Sequence, residues 1–360
     1  MYFVATAQET DYAYSLGKSR APWPFEIEIE NGSDKDGTML PRTKRSTFVV
    51  ALEARIVRKL MVILGLALLW PAVTSRAQLS PPNTSGVAMG HLHYHVRDLE
   101  AHKTFWMALG GKPTKVGTTD VLKFPDVLIF LTQGESSGGT EGSTVNHLGF
   151  KVPDLPSMLA KLKAAGYEVE GNPSTWGTRA NTNLFNPDHD RLELFQELTE
   201  LARFYPDEGQ DKVAGQRLNQ KMTVPISTHH VHLYGPEGTD AQVKAWYVKV
   251  FGAIPGTRGG HYQAADLPGI NLNFCSSECS HSPGVSVSAE SAAVLASSKG
   301  RTLDHIGFEV KNLEAFCKKL EGSGVKFDVP YAKHRNGIAT AFFTDPWGTY
   351  IELTEGLNRL

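Results

Sequence analysis

The sequence predicts an α+β protein of two tandem, homologous domains, and three observations predict it. A long block recurs in fixed order at a nearly constant offset; each copy alternates short strand-like runs with a helix-period segment closed by glycine; and histidines and glutamates recur at matching places on the polar side of those runs. The 360 residues, 41% of them apolar, supply material for two cores. A net charge of -2 offers no basic surface for nucleic acid, so the expected partner is a small-molecule substrate.

Along the chain, residues 1–54 are polar and aperiodic and are expected not to fold, as if the start had been placed too far upstream and translation began near Val57. Residues 55–77 carry the parts of a secretory signal peptide: Arg55, Arg58 and Lys59, an apolar run from Met61 to Trp70, and the small-residue end Ser75-Arg76-Ala77. The run falls short of the roughly 20 residues a bilayer span needs, and Pro71 follows it, so no stable membrane anchor is expected after cleavage. The expected location is exported, periplasmic or secreted. Three cysteines, Cys275, Cys279 and Cys317, are too few for a disulfide framework, and one short bridge between Cys275 and Cys279 stays open.

The repeat begins at His91-Leu92-His93-Tyr94, which returns as His230-Val231-His232-Leu233, each ahead of a helical stretch with an aromatic pair. Asn146-His147-Leu148-Gly149-Phe150-Lys151-Val152 returns 158 residues later as Asp304-His305-Ile306-Gly307-Phe308-Glu309-Val310. A helix-period segment follows each copy, from Leu155 and from Leu313, and a glycine ends it before another strand. The ending from Asn186-Pro187-Asp188 to Leu194 matches that from Asp345-Pro346-Trp347 to Leu353. Two domains follow, at 86–200 and 225–357, each of two strand-helix-strand modules, with a polar linker at 201–224 that has room for one helical turn.

Strand alternation then sorts the side chains. His147, Gly149 and Lys151 share one face while Leu148, Phe150 and Val152 share the face that must bury; the same count holds for His305, Glu193 and Glu352. His91 and His93, or His230 and His232, stand together on the first strand of each domain. Two imidazoles and one carboxylate from separate strands can converge on one divalent ion and leave positions open for a substrate. Two neutral nitrogens suit iron(II), manganese, nickel or zinc, and a single carboxylate argues against calcium. His95, His102 and His189 have no counterpart in the other repeat and are read as surface or supporting residues.

These motifs resemble the vicinal oxygen chelate superfamily of glyoxalase I, bleomycin resistance proteins and extradiol dioxygenases. The matching residues are His91 and His230, His147 and His305 in the HLGF and HIGF segments, and Glu193 and Glu352 in NPDHDRLEL and DPWGTYIEL. The resemblance implies paired βαβββ modules in each domain, forming an open, cup-like mixed sheet with helices outside. It implies metal ligands His230, His305 and Glu352 in the second domain, and His91, His147 and Glu193 in the first. Glyoxalase I-like members carry a fourth ligand, a glutamate, where this chain has Phe130 and Asn273. That departure favours an extradiol dioxygenase-like enzyme on a small oxygen-chelating substrate, with iron(II) or manganese as metal and the second domain as the catalytic one. His334 lies where such enzymes hold an acid/base histidine, with Tyr331, Tyr350 and His261 as neighbours.

Two other readings share these residues: a glyoxalase-like lyase, isomerase or epimerase using zinc, nickel or cobalt, and a non-catalytic drug-sequestering protein. Trp176, Arg179, Tyr262 and Trp347 are candidate pocket residues, and the expected state is a monomer or homodimer. Mass spectrometry of the mature protein tests export: peptides should begin near Gln78, and peptides from residues 1–50 would contradict the leader.

Overall fold

Strand and helix signals resolve into four related modules, three with four strands and the second with three. The computed structural model describes residues 79–211, 216–276 and 295–359; the segments at 1–54 and 55–77, and Cys279, lie outside the described residues. The first module is β1 (Val87–Val96), α1 (Leu99–Leu109), β2 (Lys112–Val116), β3 (Thr119–Phe124) and β4 (Val127–Gln133). The second is β5 (Val145–Val152), α2 (Leu155–Ala164), α3 (Pro173–Trp176), β6 (Asn181–Phe185) and β7 (Arg191–Gln196). After β8 (Phe204–Pro206) and α4 (Gln216–Asn219) come β9 (Ser227–Tyr234), α5 (Asp240–Phe251), β10 (Ile254–Arg258), β11 (Tyr262–Leu267) and β12 (Ile270–Cys275). The fourth is β13 (Leu303–Val310), α6 (Leu313–Gly322), β14 (Phe327–Lys333), β15 (Ala339–Thr344) and β16 (Tyr350–Glu355). None of the described helices is long and apolar enough to cross a membrane.

The helices start and stop for local reasons. Asp98 and Asp154 accept from the amides of Ala101 and Ser157, capping α1 and α2, and Gly110 and Gly252 take positive φ values of 123° and 66° to end α1 and α5.

Two eight-stranded mixed sheets result, in the orders β14-β15-β16-β13-β1-β4-β3-β2 and β6-β7-β5-β9-β12-β11-β10-β8. This corrects the expected grouping. Each cup was to come from the two modules of one repeat; instead the first module joins the fourth, and the second joins the third. β1 runs antiparallel to β13, pairing His93 with His305, and β5 runs antiparallel to β9, pairing His147 with His232. The physical reason is that β5 and β13 carry nearly the same residues, so alternation tells which face each strand buries and not which edge it joins. The linker also does more than span: β8 pairs with β10, Thr257 opposite Tyr205, and completes the second sheet.

The repeats still pack on themselves, through the apolar core. Phe105 meets Tyr167 at 5.1 Å between ring centroids and Phe124 meets Phe150 at 4.9 Å, joining the first module to the second. Phe251 meets Phe308 at 4.6 Å, and Trp246 meets Phe343 at 6.3 Å, joining the third to the fourth. These residues belong to one continuous core, and the described chain from Leu79 onward is one compact unit. Each buried phenylalanine there contributes about 1.5–3 kcal/mol.

Matched positions in β5 and β13 close the floor of each cup with opposite charges. Buried Lys151 donates to the carbonyls of Arg217 and Leu218 at 3.2 and 3.0 Å and ties the linker helix to the sheet. Buried Glu309, its counterpart, accepts from the amides of Gly356 and Leu357 at 2.6 and 3.3 Å and ties down the C-terminal turn. Cys275 is disulfide-bonded, and Cys317 is a free, buried thiol.

The exchanged pairing predicts the behaviour of a fragment. Residues 79–200 alone would leave β1 and β5 without their central partners, so the fragment should dimerise or aggregate in light scattering. A monomeric fragment with a cooperative melt would contradict the strand order.

Candidate metal centre

The sites sit on the sheet faces opposite the core. In β1 a register shift at Gly90 lets Met89 and Leu92 both enter the core and sends His91 and His93 to the other side. In β9 the equivalent shift falls at His229, and His230 and His232 emerge opposite Val231 and Leu233. Parallel pairing then sets Glu352 beside Gly307, and Glu193 beside Gly149.

In the first sheet, His91 Nε2 lies 2.8 Å and His305 Nε2 2.9 Å from the same Glu352 oxygen, and the two nitrogens are 3.3 Å apart. Ligand atoms about 2.1 Å from one ion at right angles stand about 3 Å apart, so this triangle has the dimensions of a cation site. Asp304 accepts from His305 Nδ1 at 2.5 Å, which turns the Nε2 lone pair toward the cluster. His91 Nδ1 is buried with no partner among the described residues. Burial alone would lower His305, but its hydrogen bonds to Asp304 and Glu352 outweigh that and lift it to about 9. Burial likewise opposes ionisation of Glu352, and His91 and His305 hold it well below the usual carboxylate range. Three donors that otherwise share protons against burial fit a divalent cation.

The glycines of the HIGF and HLGF motifs now have a reason. A Cβ on Gly307 would stand 2.0 Å from Cε1 of His91, and one on Gly149 would stand 2.2 Å from Cε1 of His230. Each imidazole crosses to the neighbouring strand through the space glycine leaves.

In the second sheet, His147 Nε2 lies 3.2 Å from His230 Nε2 and 3.2 Å from a Glu193 oxygen, with His230 Nε2 3.4 Å from that oxygen. His232 Nδ1 adds a contact at 3.4 Å to His147. His229 donates from Nε2 to the Ala202 carbonyl at 2.9 Å and therefore accepts at Nδ1 from His230 Nδ1, at 2.8 Å. That relay leaves the His230 Nε2 lone pair facing the cluster. The surroundings differ in charge, however. Asn146 stands where the first cup has Asp304, Arg191 lies 2.7 Å from His147 Nδ1, and buried Arg258 sits 5.2 Å over the Phe195 ring. Burial, with Arg191 next, lowers His147 to about 4; burial opposes ionisation of Glu193, but its bond to His147 and the two arginines bring it to about 2.

The structure thus brings together all six predicted ligands in two clusters, and regroups them: His91 with His305 and Glu352, and His230 with His147 and Glu193. It does not bring His334 into either. That residue follows the β14 strand, is exposed, and meets Thr340 Oγ1 at 2.8 Å; Thr340 lies two residues from Phe342, the register partner of Glu352, so His334 stands at the rim of the first cup. Phe130, at the fourth-ligand position, packs against His91 at 4.8 Å between ring centroids. His93, 4.8 Å from the His305 ring and bonded to Thr132 at 2.7 Å, is the nearer free-standing imidazole.

Other candidates find structural roles. His102 is buried against Asp188 at 3.1 Å, Trp176 is buried, Trp347 packs on Trp246, and Arg179 faces Glu170. His189 stacks on Phe185, His95 lies beside His93, and Tyr350 stacks on Phe342. Asp304, Arg191, Arg258 and His229 were missed as site residues. For Asp304 the signal was available, an acidic neighbour directly before a ligand histidine. Arg258 had none, since no matched residue occurs in the first repeat.

Two open cups with converging His and Glu side chains on a repeated strand-helix-strand plan define a class of cup-shaped α+β proteins. Residues 88–194 and 227–353 each match the Glyoxalase/Bleomycin resistance protein/Dioxygenase superfamily, and the chain belongs to that family. Among solved structures, glyoxalase I from Zea mays is similar at 15% identity with a TM-score of 0.50, covering 76% of this chain and 94% of that one. A candidate dioxygenase from Bacillus subtilis is similar at 13% identity and a TM-score of 0.50, covering 77% and 86%. No curated protein matches. At these identities the likeness shows the fold.

Substituting Gly307→Ala should push the His91 ring out of the first cluster and weaken metal binding there by about 10–100-fold, the loss typical when a ligand is misoriented. Calorimetric titration with manganese checks it; unchanged affinity would mean that His91 does not ligate.

Proposed function

We propose that this chain is a divalent-metal-dependent enzyme acting on a small substrate that chelates the ion through adjacent oxygens, and that the reaction centre is the cup of His91, His305 and Glu352. The observation that carries the reading is the triangle of 2.8, 2.9 and 3.3 Å among their ligand atoms, with Asp304 setting the tautomer of His305. A divalent ion there supplies Lewis-acid polarisation of the substrate oxygens.

The chain's own residues do the rest. His91, His305 and Glu352 would hold the ion, and with apolar Phe130 packed on His91 in place of a fourth ligand the three donors would leave coordination positions for a substrate. His93 stands beside the cluster with its Nε2 on Thr132, placed to hydrogen-bond a substrate oxygen, and His334 at the rim is the group we assign to proton exchange with solvent. Two histidines and one carboxylate with open positions is the donor set of non-haem iron(II) oxygenases, which supports an extradiol dioxygenase-like reaction on iron(II) or manganese.

A glyoxalase-like lyase, isomerase or epimerase on zinc, nickel or cobalt uses the same ligands. Each cup mixes both repeats, so neither reading assigns catalysis to the second domain by itself. Export through residues 55–77, outside the described residues, remains part of our proposal.

Glu352→Ala should remove metal and turnover together, while His334→Gln should leave metal content intact and lower turnover by about 100-fold. Oxygen consumption with catechols by the iron(II)-loaded protein supports the dioxygenase. Turnover of a hemithioacetal without oxygen uptake replaces it with the lyase, and full metal content in Glu352→Ala removes the assigned centre.

A further inference from the structure

The two cups match in backbone and in histidines but not in charge. Around His91 and His305 stand two carboxylates, Glu352 and Asp304, and a bound dication would be balanced. Around His147 and His230 stand one carboxylate and two guanidinium groups. At His147 Nδ1 the acceptor is the neutral Asn146 Oδ1 at 2.8 Å in place of a carboxylate, and the Arg191 guanidinium, which only donates, crowds the same nitrogen at 2.7 Å. Arg258 is 5% exposed and its head group is held between Phe195 and Tyr262 at 5.2 and 4.7 Å from their ring centroids. Phe195 shares its face of β7 with Glu193 and lies 5.6 Å from the His230 ring, so Arg258 is at the cluster. Its one hydrogen bond shown is to the Leu201 carbonyl, its Nε has no partner, and it makes no ion pair among the described residues. His232 Nε2 is also buried and unpartnered.

With Glu193 ionised, Arg191 and Arg258 leave this cup one net positive charge, and a dication would raise it to three. A single oxyanion neutralises it. We propose that the cup of His147, His230 and Glu193 binds an oxyanion, a carboxylate or a phosphate group, on Arg258 and Arg191 and takes no divalent cation. One metal per chain follows, bound in the other cup; that clause rests on the proposed reaction centre, whereas the anion site stands apart from it.

The test uses the full chain. Elemental analysis after loading with manganese should give one ion per chain, retained by Glu193→Ala and lost by Glu352→Ala. Calorimetric titration of metal-free protein with inorganic phosphate and, separately, with acetate should show one anion bound, the tighter of the two naming the group. Arg258→Met should weaken it at least tenfold, and half-buried Arg191→Gln, which puts less of the core at risk, should do so as well. Arg258→Lys should restore part of the affinity. Two manganese ions per chain, no binding of either anion, or anion affinity unchanged in both arginine variants would overturn the proposal. Loss of the single ion in Glu193→Ala would place the metal in this cup and overturn the proposal too, whereas no manganese bound by the unaltered chain, with anion binding intact, would sink the proposed reaction centre alone.

Discussion

The structure depends on two antiparallel contacts, β1 with β13 and β5 with β9, because each cup exists only where strands from different repeats meet. A strand pair of this kind needs both backbones close, and here it must also let an imidazole pass from one strand toward the carboxylate two strands away. Gly307 and Gly149 provide that passage, since any Cβ would occupy the ring positions of His91 and His230. The bulges at Gly90 and His229 provide the rest by resetting alternation, so that one strand buries Met89 and Leu92 yet presents His91. Without the bulge, alternation from Met89 would turn His91 into the core and Leu92 out of it.

The exchanged order makes the repeats interdependent. The apolar core holds each repeat together through Phe124 on Phe150 and Phe251 on Phe308, while the sheets hold the repeats to each other. Loosening either layer disturbs both cups, because His305 and Glu352 share a module whose helix α6 packs on Phe251 from another. Lys151 and Glu309 extend the same logic to the cup floors, anchoring the linker and the C-terminal turn.

The faces of the strands were legible in the sequence because side-chain period two is a local property. His147 and Gly149 on one side, with Leu148 and Phe150 on the other, follows from alternation alone, and the structure shows it. The partners of the strands were not legible, because the duplicated HLGF and HIGF segments offer β1 two nearly equal edges. The family match at 88–194 and 227–353 follows the sequence repeat, whereas the sheets do not. Arg258 was illegible for a different reason: it reaches its cup from β10, an outer strand whose counterpart in the first repeat ends with Val116, so no recurrence marks it.

Comparing the two copies by register separates what folding requires from what chemistry selects. Positions that fill the core or make room carry like residues in both: Leu148 and Ile306, Phe150 and Phe308, Gly149 and Gly307. Positions on the opposite face diverge in charge: Asp304 against Asn146, Tyr350 against Arg191, Glu309 against Lys151. The two sets alternate along the same strands, so a substitution in one need not disturb the packing of the other. A duplicated cup can therefore keep its geometry while its electrostatics change sign, and a pair of histidines beside a glutamate is not by itself a metal site. Whether such a cluster draws a cation or an anion is decided one residue further out, by Asp304 in one cup and by Arg191 and Arg258 in the other.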